Sequence, residues 1–198
     1  MTERLHFPAT AQNRQAIWEV LGPLAASAPG PILEVASGSG EHLAYFRQQN
    51  PGVCWQGSDP EPIHRASIQA WDPSAPAPLD LDVRSWRDTR SWGGIVAINL
   101  LHISAWEATI GLLKGAAAHL HPAGWLYLYG AYLRKDRPNA PSNLAFDESL
   151  RRQNPSWGVR WLDEVVAEAE LHQLRLDSCL DMPANNFSLI FRPSRLEK

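Results

Sequence analysis

The segment Ile32-Leu33-Glu34-Val35-Ala36-Ser37-Gly38-Ser39-Gly40-Glu41-His42 constrains this chain more than any other. A short apolar run reads as a buried strand, two glycines two residues apart break it, and a helix through Leu43, Phe46 and Arg47 follows. Gly38 and Gly40 let the backbone turn sharply and approach a ligand, and a helix start offers free amides. A strand, tight turn and helix in this order point to a nucleotide-like ligand.

The rest of the chain continues the alternation. Ile17, Val20, Leu21 and Leu24 have helical spacing between Thr10 and Ala26. A strand is expected at Val53–Ser58, closing on Asp59-Pro60, then a helix over Glu61–Trp71 that the proline-rich stretch Asp72–Pro78 breaks. Leu79–Val83 is a third strand candidate and Gly94–Asn99 a clearer fourth. Ser104-x-x-Glu107 matches a capping box and opens a helix to about Leu120. His121–Gly124 turns into strand Trp125–Tyr129. After a helix near Arg160–Glu170, Arg175–Leu180 and Phe187–Phe191 read as a terminal hairpin, and Ser194–Lys198 as a tail. This order predicts one α/β domain over residues 1–198: a Rossmann-like, mostly parallel seven-stranded sheet with helices on both faces and an antiparallel C-terminal hairpin. Ligands then bind at the carboxyl ends of the strands. Residues 131–158 are polar and proline-punctuated, with a short helix at Phe146–Arg152, and read as a lid or substrate-binding segment.

Composition narrows the partners. A formal net charge of −3 and a pI near 6.1 create no global field that would gather nucleic acid or anionic lipid, so a small-molecule substrate is expected. The N-terminus lacks the apolar core of a secretory signal and no run is long enough to span a bilayer, which gives a cytoplasmic reading with no membrane partner. Cys54 and Cys179 are far apart, and the histidines follow no metal-ligand spacing, so neither a disulfide framework nor a metal is invoked.

A dinucleotide fingerprint needs a third small residue where this chain has Leu43, and Glu41 would crowd a pyrophosphate with negative charge. Leu33–Gly40 instead resembles motif I of the class I S-adenosylmethionine (SAM)-dependent methyltransferases, with Glu34 in the acidic place, Ala36 replacing the first glycine, and Gly38 and Gly40 filling the others. Asp59, Asp82 and Asn99 follow in the order in which that superfamily has ligand contacts. Nearly the full length is also similar to the DUF938, or methyltransferase-like protein 26, family: Phe7-Pro8-Ala9 with Asn13-Arg14, Glu34–His42, Ser58-Asp59-Pro60, Asn99–Ile103, Leu128-Tyr129-Gly130, Ser142-Asn143, Phe146-Asp147 and Trp157-Gly158 carry the likeness.

The resemblance implies SAM as cofactor, with S-adenosylhomocysteine as product, and a class I methyltransferase fold. Glu34 would organise the cationic methionine end, Asp59 the ribose hydroxyls, Asp82 with the Val83 amide the adenine, and Asn99 the methionine portion and acceptor. Ala36, Gly38, Gly40 and Asn13 complete the cofactor set. Asn99 and His102 are the catalytic candidates, His102 because a histidine exchanges protons near neutral pH. Tyr129, Tyr132, Arg134, Arg151 and Trp157 are the acceptor-binding candidates. Two rivals stay open: a SAM-sensing protein without catalysis, and an NAD(P)-dependent reductase. The acceptor, the atom methylated and the oligomeric state are not specified by the sequence.

Overall fold

In the computed structural model, which describes residues 3–194, the chain forms a seven-stranded sheet between helical layers. The strands are β1 (Ile32–Val35), β2 (Trp55–Gly57), β3 (Trp92–Ile98), β4 (Leu120–Leu133), β5 (Arg160–Trp161), β6 (Leu174–Met182) and β7 (Asn186–Pro193). The sheet runs β2-β1-β3-β4-β7-β6, with β5 pairing alongside β4. The pairs β1–β2, β1–β3, β3–β4 and β4–β5 are parallel, and β4–β7 and β6–β7 antiparallel. This is the expected α/β architecture with its C-terminal hairpin. The tail expected from Ser194 onward lies, apart from Ser194 itself, outside the described residues.

The helices are α1 (Pro8–Ala26), α2 (Glu41–Gln49), α3 (Pro62–Trp71), α4 (Trp106–His119), α5 (Pro141–Gln153) and α6 (Leu162–Leu171). Alternation along the strands sorts them into two layers. Leu33, Val35, Ile95, Ala97, Leu126 and Leu128 pack with Leu112 and Leu113 of α4 and Val165 of α6. Ile32, Val96 and Tyr127 pack on the opposite face with Ile17 and Leu21 of α1, Phe46 of α2 and Ile68 of α3. The stripe announced by the spacing of the first helix is seated here, Ile17 and Leu21 fully and Val20 and Leu24 in part.

Three local expectations are corrected. Leu79–Val83 is not a strand: Leu79 makes a single bridge to Ser58, and Val83–Ser85 is a 3₁₀ turn whose start Asp82 caps by accepting from the Arg84 amide at 2.9 Å. Pro76 and Pro78 remove ladder donors just before it. The capping box at Ser104 does not form, because its hydroxyl donates back to the Leu100 carbonyl at 2.8 Å and Ala105 takes the cap position. The 131–158 segment is more regular than expected: Ala131–Leu133 are buried strand, and α5 runs for 13 residues.

A candidate cofactor and acceptor site at the carboxyl ends of the strands

The glycine turn after β1 is stitched to the end of β2. The Ser37 amide donates to the Ser58 carbonyl at 2.8 Å, the Ser58 hydroxyl to the Glu34 carbonyl at 2.9 Å, and the Gly38 amide to Asp59 Oδ2 at 3.0 Å. Ala36 (φ 50°), Gly38 (φ 55°) and Gly40 (φ 88°) are all left-handed. At Ala36 this costs roughly 1–2 kcal/mol, strain the surrounding network sustains. Gly40 is required twice over, since a Cβ there would also lie 2.7 Å from the Ile68 Cα of α3.

Glu34, one residue before the end of β1, is 2% exposed, and its Oε2 has no partner among the described residues. Burial pushes its pKa up to about 8, the Ser37 hydroxyl opposing and the nearby Asp59 charge adding. Such a carboxyl is costly to bury and is relieved by a cationic ligand. Asp59 is also buried and heavily engaged: besides Gly38, its Oδ1 accepts from the Glu61 amide at 2.9 Å and faces His64 Nδ1 at 3.0 Å. The Glu41 carboxylate does not face a ligand. It accepts from the Phe7 amide at 2.8 Å and the Ser39 hydroxyl at 3.2 Å, fastening the N-terminal segment so that the Phe7 ring lies over Gly38.

Two cavities flank Ile103, which lines both. The first, about 320 Å³, brings together Ala36, Asp82, Val83, Leu100 and Trp157. Asp82 enters it already paired with Arg84, whose hydrogen bonds hold its carboxyl below the usual range. The second, about 460 Å³, brings together Asn13, Asn99, His102 and Tyr129 with Asn143, Phe146 and Asn186. Asn99 stands in the left-handed region (φ 59°) just past β3, which asparagine tolerates. Asn13 accepts from His42 Nε2 at 2.7 Å, and burial holds that histidine down to about 4, so it is the neutral donor. Tyr129, its pKa raised by burial, is faced by Asn13 and Asn186.

His102 is neutral, but its lone-pair nitrogen is already engaged. Its Nε2 accepts from the Ala131 amide at 3.2 Å, so in the neutral ring Nδ1 carries the proton, and that atom is buried without a partner among the described residues. Burial and the Arg160 charge hold its pKa down to about 4. The basic acceptor-binding candidates are likewise not brought to the second cavity. Arg134 pairs with Asp136 and, with the fully buried Tyr132, lines a separate cavity; Arg151 pairs with Asp147 at 2.9 Å. Trp157 lies on the first cavity rather than the second.

Sequence reasoning missed Gln12, Asn143, Phe146 and Asn186 as lining residues. The Ser142-Asn143 and Phe146-Asp147 pairs of the family likeness were a usable signal for two of them. Asn186, at the tip of the terminal hairpin, had none.

The fold and this glycine turn define the class: the fold is that of the class I SAM-dependent methyltransferases. Similar solved structures include an O-methyltransferase family protein from Burkholderia thailandensis (TM-score 0.79, 18% identity, 96% of this chain and 58% of that one) and human N-acetylserotonin methyltransferase in complex with SAM (0.71, 15%, 93% and 55%). The complex between the Haloferax volcanii Trm112 methyltransferase activator and the putative methyltransferase also matches (0.72, 14%, 94% of each chain). The chain thus spans little more than half the length of the first two. Its family is narrower than this class: residues 4–193 match the family described as "Protein of unknown function (DUF938)", and the chain belongs to it.

Proposed function

We propose that the protein is a SAM-dependent methyltransferase acting on a small molecule. The observation that carries this reading is the buried Glu34 carboxyl beside the glycine turn, whose Oε2 has no partner among the described residues. SAM brings a sulfonium and an ammonium where a dinucleotide would bring a pyrophosphate, and only the former relieves this group. The Gly38–Gly40 turn gives the backbone the left-handed path between β1 and α2, and Leu43 fills the place where a dinucleotide motif is small.

On this reading Glu34 holds the methionine end, Asp59 the ribose, Asp82 and the Val83 amide the adenine in the first cavity, and Asn99 and Asn13 border the second, which takes the acceptor. SAM, when bound, supplies an electrophilic methyl group. The chain's task is alignment and exclusion of water: Asn99 and the neutral His102 ring shape the wall against which the acceptor is oriented, and residues 134–157 form the rim that closes over it. Proton removal falls to solvent rather than to His102.

The test is calorimetric titration with SAM, S-adenosylhomocysteine and NADH, followed by an acceptor screen with methyl-labelled SAM. Saturable binding of the first two and label transfer are expected. NADH binding without SAM binding would overturn the proposal.

A further inference from the structure

The second cavity has an unusual composition for a substrate site. Among the described residues, its fifteen lining positions include no aspartate, glutamate, lysine or arginine. Its polar side chains are the carboxamides of Gln12, Asn13, Asn99, Asn143 and Asn186, with the Ser142 and Tyr129 hydroxyls and the His102 ring. Nearby arginines are engaged elsewhere, Arg160 by the Leu101 and Ser104 carbonyls and Arg134 by Asp136. The cavity also holds unused apolar surface: Ile103 is 48% and Phe146 41% exposed although both line a concavity. The Phe146 ring stands edge-to-face with His102 at 6.1 Å.

We propose that the acceptor is an uncharged aromatic molecule, held by carboxamide hydrogen bonds and by stacking on Phe146 and Ile103 rather than by an ion pair. The inference rests on the methyltransferase reading above. A carboxylate or ammonium entering here loses hydration and meets no opposite charge on the protein, whereas a neutral ring with donor and acceptor edges is satisfied by amides that offer both. A bound sulfonium would disfavour a cationic acceptor further. Covering Phe146 and Ile103 with a flat apolar face adds favourable burial.

The experiment uses the full chain saturated with S-adenosylhomocysteine and three ring systems (indole, quinoline and naphthalene), each as the carboxamide, the carboxylate and the aminomethyl compound. Affinities are read by ligand-observed NMR and calorimetry. The carboxamide of at least one ring system should bind tenfold or more tighter than both of its charged counterparts. Gln12→Lys and Gln12→Glu, at an exposed α1 position without a side-chain partner among the described residues, should shift the preference severalfold toward the carboxylate and the aminomethyl compound respectively. Equal or tighter binding of a charged member to the unmodified chain overturns the proposal, as does absence of binding by every member while S-adenosylhomocysteine binds. If S-adenosylhomocysteine itself fails to bind, the methyltransferase reading falls, and this inference with it.

Discussion

The Gly38 amide donates to Asp59 Oδ2 at 3.0 Å, so the acidic end of β2 and the glycine turn after β1 form one unit. Asp59 therefore positions the cradle as well as facing the proposed ribose site. Asp59→Ala would strip acceptors from the Gly38 and Glu61 amides and from His64. Bonds to a charged acceptor contribute about 1.5–3 kcal/mol each, with partial recovery by water, so a net destabilisation of about 2–3 kcal/mol is expected. SAM affinity should fall with it, and Asp59→Asn should be milder. Denaturant unfolding of the two variants checks this; unfolding of Asp59→Ala at the unmodified midpoint would show that the turn stands without Asp59.

The turn also demands glycine at position 40. Its φ of 88° acts together with the Ile68 backbone, which lies 2.7 Å from where a Cβ would stand, so Gly40→Ala should cost about 2 kcal/mol or more and push α3 away. At Gly38 the nearest obstacle is the Phe7 side chain at 2.9 Å, which can move. Gly38→Ala should therefore cost less stability, roughly 1–2 kcal/mol from its φ of 55°, and displace the Phe7 ring that lies over the turn. Parallel thermal-melt and calorimetric series separate the two positions, and equal behaviour would contradict this division.

How far the sequence announced this site depends on the kind of signal. The β1–turn–α2 unit was legible because strand burial, glycine conformation and helix spacing agree within eleven residues. Asp82 was legible as a position but not as a state, since its pairing with Arg84 depends on a 3₁₀ turn that the residues Leu79–Val83 disguise as a strand. His102 was legible as a position but not as a state, because its protonation is set by the Ala131 amide, 29 residues away, and by burial. The pairing of Arg134 with Asp136 and of Arg151 with Asp147 was hidden in the same way. Chain spacing locates such groups without revealing which of their hydrogen bonds are spent.

Buried titratable groups set opposing slopes in stability against pH. His42 and His102 are held down to about 4 against an unfolded value of 6.5, so the unfolded chain takes up their protons first and stability is lost as pH falls below 6.5. Glu34 is raised to about 8 from 4.5, so its contribution is lost as pH rises through that window. Between 4.5 and 6.5 two histidines outweigh one glutamate, and above 6.5 Glu34 outweighs what remains of the histidine titration. Unfolding free energy should thus peak near pH 6.5 and fall by roughly 1 kcal/mol toward pH 5 and toward pH 8. Glu34→Gln should flatten the alkaline limb. Denaturation curves at the three pH values decide; a stability that keeps rising to pH 8 contradicts the assignment.

The same carboxyl couples cofactor binding to protons. Glu34 is protonated in the free protein at pH 7, and a cationic ligand beside it favours the carboxylate. SAM binding should release close to one proton, and affinity should increase toward tenfold from pH 6 to pH 7. Calorimetry in buffers of different ionisation enthalpy measures the release directly, and Glu34→Gln should abolish it. Proton-neutral binding in the unmodified protein would place the methionine end elsewhere.

The final expectation concerns closure by residues 134–157. Only Asn143 and Leu150 of α5 are buried, and the helix start is held chiefly by Asn143 Nδ2 donating to the Asn185 carbonyl at 2.9 Å and by Asn185 Nδ2 donating to Ser142 at 3.1 Å. Its far end is anchored better: the Gly158 amide donates to the His102 carbonyl at 2.9 Å, the Val159 amide to Asp147 at 2.7 Å, and Leu150 packs with Ala131, Leu133 and Val159. A segment fixed at one end and lightly held at the other opens locally at low free energy, as a lid must. Amides from Arg134 to about Phe146 should exchange rapidly in the free protein, those of Leu150 and Val159 slowly. S-adenosylhomocysteine with an acceptor from the neutral set should slow the first group by tenfold or more. Asn143→Ala, which frees the start of α5, should raise the acceptor KM while leaving SAM affinity nearly unchanged. Strong protection of residues 134–146 without ligand would mean that α5 is a permanent wall of the cavity rather than its lid.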